Sequence, residues 1–149
     1  MNPMLQLAAA WLGSLGFAML FNVRGGKLLC ASLGGLLAWA VYLLAARFTR
    51  NDYLCGFSAT VALTLYAEVM AILKKSPVTV FLVSAAIPLI PGAALYRAMD
   101  CLMHGDWDGL WIEGSYALLF AASMSAGITV TTILFQLIHS GLRQRIHRA

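Results

Sequence analysis

Charged side chains are scarce in this sequence. They make up 11% of its 149 residues, against about 25% in ordinary soluble domains. A soluble domain of this size needs far more polar surface, so a water-soluble bundle is excluded as the working model. Residues 1–23 contain no lysine or arginine. A cleavable leader needs a basic start and a short apolar stretch, and the apolar run over 4–21 is too long for one. The first segment is therefore expected to stay in the membrane.

Reactive groups are scarce as well. The three cysteines, Cys30, Cys55 and Cys101, show no C-x-x-C spacing, and no histidines cluster near them. No metal site is expected. Cys30 sits in an apolar run and reads as a small hydrophobe, while a disulfide between Cys55 and Cys101 stays open. The chain lacks a Ser/His/Asp arrangement, paired intramembrane acids, a glycine-rich phosphate loop and a haem signature. His104, His139 and His147 fall at or beyond the edges of the apolar runs. Enzymatic chemistry and a bound cofactor are not expected. The net charge of +4 does not point to nucleic acid, because the cations stand at the ends of apolar runs, where they meet lipid headgroups.

Apolar residues dominate instead, at 61%. They form runs of about twenty residues separated by short charged breaks, the pattern imposed by hydrocarbon as solvent. The sequence predicts an all-α, polytopic membrane protein with five transmembrane helices in a single domain over 1–149. The spans are 4–22, 28–46, 54–72, 78–98 and 113–138. A nineteen-residue helix at ~1.5 Å per residue just crosses a ~30 Å core. The connectors 23–27, 47–53 and 73–77 are short enough to force antiparallel neighbours. The last, 99–112, reads as a longer acidic loop with interfacial Trp107 and Trp111.

Lysine and arginine distribution sets the orientation. Arg24, Lys27, Lys74, Lys75, Arg143, Arg145 and Arg148 fall on one side; Arg47, Arg50 and Arg97 fall on the other, with five carboxylates beside them. The positive-inside rule puts the N-terminus outside and the C-terminus in the cytoplasm. Small residues that allow close helix approach are Gly13 with Gly16, Ala31 with Gly35, and Ser123 with Gly127. Two polar stripes follow helical spacing, Thr60–Thr64–Glu68 and Ser125–Thr129–Thr132–Gln136, and imply a shared polar interior or a subunit interface.

The most informative stretch is Ile87-Pro88-Leu89-Ile90-Pro91-Gly92, inside the fourth span. Each proline removes a backbone donor and clashes with the preceding turn, so the helix is expected to break. Freed backbone groups at membrane depth are tolerated against other helices or a wet cavity, and broken helices often build transporter sites. A kink that only shapes packing is the alternative. Glu68 is the acid set deepest in a span, which marks it as a proton-coupling candidate, or as a partner for Lys74 or Lys75. Tyr96, four residues past Gly92, is placed in the same cavity or at the interface. Asn22 is a polar gate or a helix end.

Three stretches together resemble a known family: Gly16-Phe17-Ala18-Met19-Leu20-Phe21-Asn22-Val23, then Val80-Phe81-Leu82-Val83 with the proline motif, then Tyr96-Arg97-Ala98-Met99. The chain is similar to the small-subunit half of the ThrE-type threonine/serine exporters, whose split version is also linked to succinate export. The resemblance implies a larger helical partner, fused or co-encoded. It makes Pro88, Pro91, Gly92, Tyr96 and, more weakly, Asn22 the matched substrate positions, and it does not assign Glu68. The expected function is a secondary-transporter subunit in the cell membrane, exporting threonine and serine with the proton gradient as part of an oligomer. A succinate exporter is one alternative, although no cation is placed within a span to receive it. A non-transporting scaffold is another.

Overall fold

The computed structural model describes residues 2–146, with side chains through Ile138. Arg143, Arg145 and Arg148, on which part of the charge count rests, lie beyond the described side chains. Six α-helices follow one another, with no strand among the described residues: α1 (Pro3–Leu20), α2 (Gly26–Phe48), α3 (Asp52–Lys74), α4 (Val78–Ala86), α5 (Gly92–His104) and α6 (Trp107–Ile146). A 3-10 turn, Ile87–Leu89, extends α4.

Local chemistry sets the ends. Asn51 caps α3 by accepting the Tyr53 amide at 3.0 Å. Lys75 closes α3 in the left-handed conformation, φ 47°. Asn22, also left-handed at φ 57°, turns the chain out of α1.

Among the described residues, α1, α2, α3 and the Trp107–Ile138 part of α6 are each long and apolar enough to cross a membrane. Counted as one span, the bent pair Val78–Leu89 and Gly92–His104, whose halves meet at 58°, makes a fifth. α4 starts beside the Lys74 end of α3. The α5–α6 turn lies toward the Asp52 end, where the Tyr116 hydroxyl donates to Asp52 at 3.1 Å. The pair thus traverses the bundle from end to end. The chain is a multi-pass membrane protein.

The expected loop over 99–112 is instead almost entirely helical. α5 runs to His104 because it is amphipathic, burying Ala94 and Ala98 while Tyr96, Met99 and Met103 face outward. Gly105, left-handed at φ 72°, stops it, and the Asp106 amide bonds back to the Cys101 carbonyl at 2.9 Å. Asp106 then starts α6 by accepting the Gly109 amide at 3.1 Å. The acidic residues read as loop are therefore cap and helix-surface residues.

Packing is inverted relative to a soluble protein. Alanine fills most buried apolar positions among the described residues, whereas Leu12, Leu20, Phe48, Leu73 and Leu118 are more than half exposed. Lipid tails solvate leucine as well as a protein core does, so the helices associate by close approach at small residues. α3 packs centrally against α2, α4 and α6. A Cβ on Gly127 of α6 would overlap the Thr60 hydroxyl and the Phe57 carbonyl of α3. The Ser123 hydroxyl donates to the Tyr53 carbonyl in the same seam. Gly35 likewise sits against Ser14. Gly13 and Gly16 do not serve this purpose, since a Cβ on either meets nothing within 4 Å.

The two polar stripes do not face each other. Thr60 and Thr64 are buried and bond to carbonyls of their own helix, while Ser125, Thr129 and Gln136 are exposed on α6. Gly127→Ala should therefore lower the detergent unfolding temperature by several degrees, because overpacking typically costs about 1–3 kcal/mol. Gly16→Ala should leave it unchanged. Equal shifts for the two would contradict the packing described here.

Candidate functional site

The break is built by two prolines. Without an N–H, Pro88 leaves the Ser84 carbonyl without its helical donor, and Pro91 does the same to Ile87. The Ile87 carbonyl is rescued by the Ile90 amide at 3.2 Å, which tightens the chain into the 3-10 turn. Ile90 and Pro91 then leave helical geometry, with ψ 129° and ψ 58°. The Gly92 amide folds back onto the Ile90 carbonyl at 2.7 Å. α5 restarts there, so the first-turn amides of Ala93 and Ala94 have no intrahelical acceptor. They form the positive end of the α5 dipole, with Ala94 buried and Gly92 and Ala93 exposed.

A cavity of about 240 Å³ opens against this restart. Pro88 to Ala94 form one wall, Trp39 and Tyr42 of α2 another, and Arg97, Tyr116 and Phe120 complete it. Trp39 stacks on Tyr42 with ring centroids 5.1 Å apart. Tyr42, Phe120, Tyr116 and Tyr53 continue the aromatic run at 5.7 to 6.4 Å spacings. The volume lies below the 300–1,000 Å³ usual for drug-sized ligands and suits a small solute.

Arg97 brings charge to the wall. Its Nε and Nη2 donate to the two carboxylate oxygens of Glu113 on α6 at 2.7 and 3.0 Å. A depression of about 310 Å³ lies on the α1 side of the break, where Trp39 Nε1 donates to Gln6 at 3.4 Å. A third, about 550 Å³ and open, runs between the break and the α6 face bearing Ala117, Ala121, Ser125 and Thr129.

Residues 6–134 match the family described as Threonine/Serine exporter, ThrE. The chain belongs to that family. The match covers all five crossings and both halves of the break, so the cavity lies inside the shared part of the exporter domain. No solved structure matches the chain.

Within this exporter domain the residues singled out by sequence separate into two groups. Pro88, Pro91 and Gly92 line the cavity together. Tyr96 does not: it is 73% exposed and lines none of the three depressions. Asn22 lies about 14 Å along α1 from Gly13, the α1 residue nearest to it in the depression beside the break. It is exposed and accepts a hydrogen bond from Arg24 Nε at 2.9 Å. Glu68 is buried at 8% exposure, one turn beyond Thr64 on α3, in the layer of Ala67, Ala71 and Phe81. That layer is distinct from the one at the break, formed by Leu63, Ala85, Leu89 and Phe120.

Sequence reading missed Arg97, Trp39, Tyr42 and Tyr116. Arg97 was treated as a topology charge beside the end of the fourth span, and with α5 continuing to His104 it becomes a cavity residue. The statement that no cation lies within a span is corrected accordingly. The signal available was Arg97 to Glu113, an opposite-charge pair flanking a chain reversal. Among the described residues no three His, Cys, Asp or Glu side chains come together.

Pro88→Ala/Pro91→Ala should let α4 run into α5, re-pair the freed carbonyls and close the cavity. The double variant should accumulate in membranes at the wild-type level, with a slightly raised unfolding temperature and at least tenfold less transport. Wild-type transport in that protein would reduce the motif to a kink.

Proposed function

We infer that this chain is one subunit of a secondary transporter that exports threonine and serine across the cell membrane, driven by the proton gradient. One observation carries the reading. In a member of the exporter family, the crossing helix breaks beside a small cavity and presents unpaired amides to it. A bilayer penalises such groups unless they face protein, water or a solute, and a half-helix N-terminus suits the carboxylate of an amino acid.

Pro88, Pro91 and Gly92 shape the site in this reading, Arg97 supplies its charge, and the aromatic wall excludes lipid. Glu68 is the proton-responsive group at a separate level of the bundle, so proton and substrate act through the same packed helices and not through direct contact. Tyr96 and Asn22 face outward, toward an interface or a partner. With the N-terminus outside, the cavity opens toward the external face, on the side of the α2–α3 and α5–α6 turns.

A larger helical partner completes the transporter. Ser125, Thr129 and Gln136 are exposed on α6, and the groove beside them is lined by Ala117, Ala121, Ser125 and Thr129 at four-residue intervals. Small residues at that interval, followed by hydroxyls, suit a crossing helix. Arg97 also gives an exported dicarboxylate such as succinate one anchoring cation, although Glu113 already neutralises it.

Cells preloaded with labelled threonine, serine or succinate give the test, comparing the deletion strain with the same strain carrying the chain. Faster threonine and serine efflux is expected, and no difference for any of the three would contradict the proposal. Glu68→Gln keeps the side-chain size and removes the titratable charge, so it should flatten the pH dependence of efflux while leaving protein abundance unchanged. Ala121→Leu/Ser125→Leu fills the groove. It should abolish co-purification with the partner while the isolated chain keeps its unfolding temperature.

A further inference from the structure

The geometry points to the Arg97–Glu113 pair as a reader of zwitterions, the element that selects amino acids over simple anions and cations at the cavity. This rests on the transport reading above and names the feature of the substrate that is recognised.

Three observations converge. Arg97 is the only charged side chain lining the cavity at the break among the described residues. Glu113 takes Nε and Nη2 through one oxygen each, which leaves Nη1 with two donors. Each carboxylate oxygen of Glu113 in turn has an unused lone-pair direction. The pair therefore presents donors and acceptors side by side, held bidentate and fixed in geometry. Arg97 is one turn past Ala93 and Ala94 on α5 and lines the same cavity, so a carboxylate bound there meets both the guanidinium and the positive end of the α5 dipole.

A zwitterion matches both halves without breaking the pair: its carboxylate meets Arg97 and the α5 amides, and its ammonium meets Glu113. A monoanion leaves Glu113 opposite a negative charge, and a cation leaves the guanidinium opposite a positive one. Like-charge juxtaposition of this kind is the repulsive element that specificity needs. Arg97 lines the cavity, and Glu113, 25% exposed, is held against it through the bidentate contact. Of the two tyrosines on the wall, Tyr116 donates its hydroxyl to Asp52, and the Tyr42 hydroxyl is neutral, which leaves the pair as the charged recognition element.

Inside-out membrane vesicles test this, prepared from the native host with the chromosomal copy replaced by each variant, so that any partner stays in place. Uptake of labelled threonine is competed with unlabelled threonine, with 3-hydroxybutyrate, which lacks the ammonium, or with threoninamide, which lacks the carboxylate. In wild-type vesicles each analogue should compete at least about tenfold more weakly than threonine, the loss expected for one charge-assisted hydrogen bond. Glu113→Gln should remove most of the handicap of 3-hydroxybutyrate, and Arg97→Gln most of the handicap of threoninamide. The swap Arg97→Glu/Glu113→Arg restores an ion pair but turns the cavity charge negative, so it should not recover threonine uptake. Variants that lower uptake without changing the ranking of competitors, or a swap that restores both uptake and ranking, would make the pair a structural tie and overturn the inference. Absence of threonine uptake above the deletion strain in wild-type vesicles would instead bring down the transport reading itself, and this inference with it.

Discussion

In hydrocarbon a backbone amide or carbonyl finds no water, and every other feature of this chain follows from that constraint. It makes the chain a set of helices and keeps their turns to a few residues. It also turns the interruption between Leu89 and Gly92 into a strongly constrained feature. The break persists because two prolines cannot donate at all. The amides that remain are partly reclaimed by the 3-10 turn and by the fold-back of Gly92 onto Ile90. What is left over, the first turn of α5, lines the cavity at the break.

Association of the helices obeys a second rule of the same solvent. Large side chains gain nothing by leaving lipid, so they stay outside, and the interior is assembled from alanine, glycine and serine. Gly127 against Thr60, Gly35 against Ser14 and Gly34 against Ala85 and Tyr66 fix the spacing of α1, α2, α3, α4 and α6. α5 is held differently. It packs along α6 with Ala94 and Ala98 buried, Gly109 against Cys101, and the Arg97–Glu113 pair at its middle.

The number of crossings and the site of the break were legible in the sequence, because run length and proline chemistry act locally. The side-chain set of the cavity was not. Pro88, Pro91 and Gly92 announce themselves by backbone effects, but Trp39, Tyr42 and Tyr116 join them from α2 and α6, and nothing local distinguishes those aromatics from lipid anchors. Tyr96 illustrates the reverse. A position four residues past Gly92 is one turn along α5, yet the helix presents the neighbouring Arg97 to the cavity and leaves Tyr96 outside. The region 99–112 misled because acidic residues and tryptophans resemble an interfacial loop, whereas Gly105 and Asp106 compress the reversal to two residues. The depth of Glu68 was legible as burial, but its separation from the break depends on how α3 is registered against α4.

The central claim is that the α5 restart is open to water and to substrate within the membrane. A cysteine at Ala93, in a protein otherwise free of cysteine, places a thiol on the cavity wall at the first turn of α5. Its rate of modification by a small water-soluble methanethiosulfonate, measured in native membranes with and without threonine, reports that openness directly. The account predicts steady modification that millimolar threonine or serine slows severalfold, while a cysteine at lipid-facing Leu118 is unaffected by either amino acid. A thiol at position 93 that stays unmodified, or reacts at the same rate whether or not threonine is present, would contradict it.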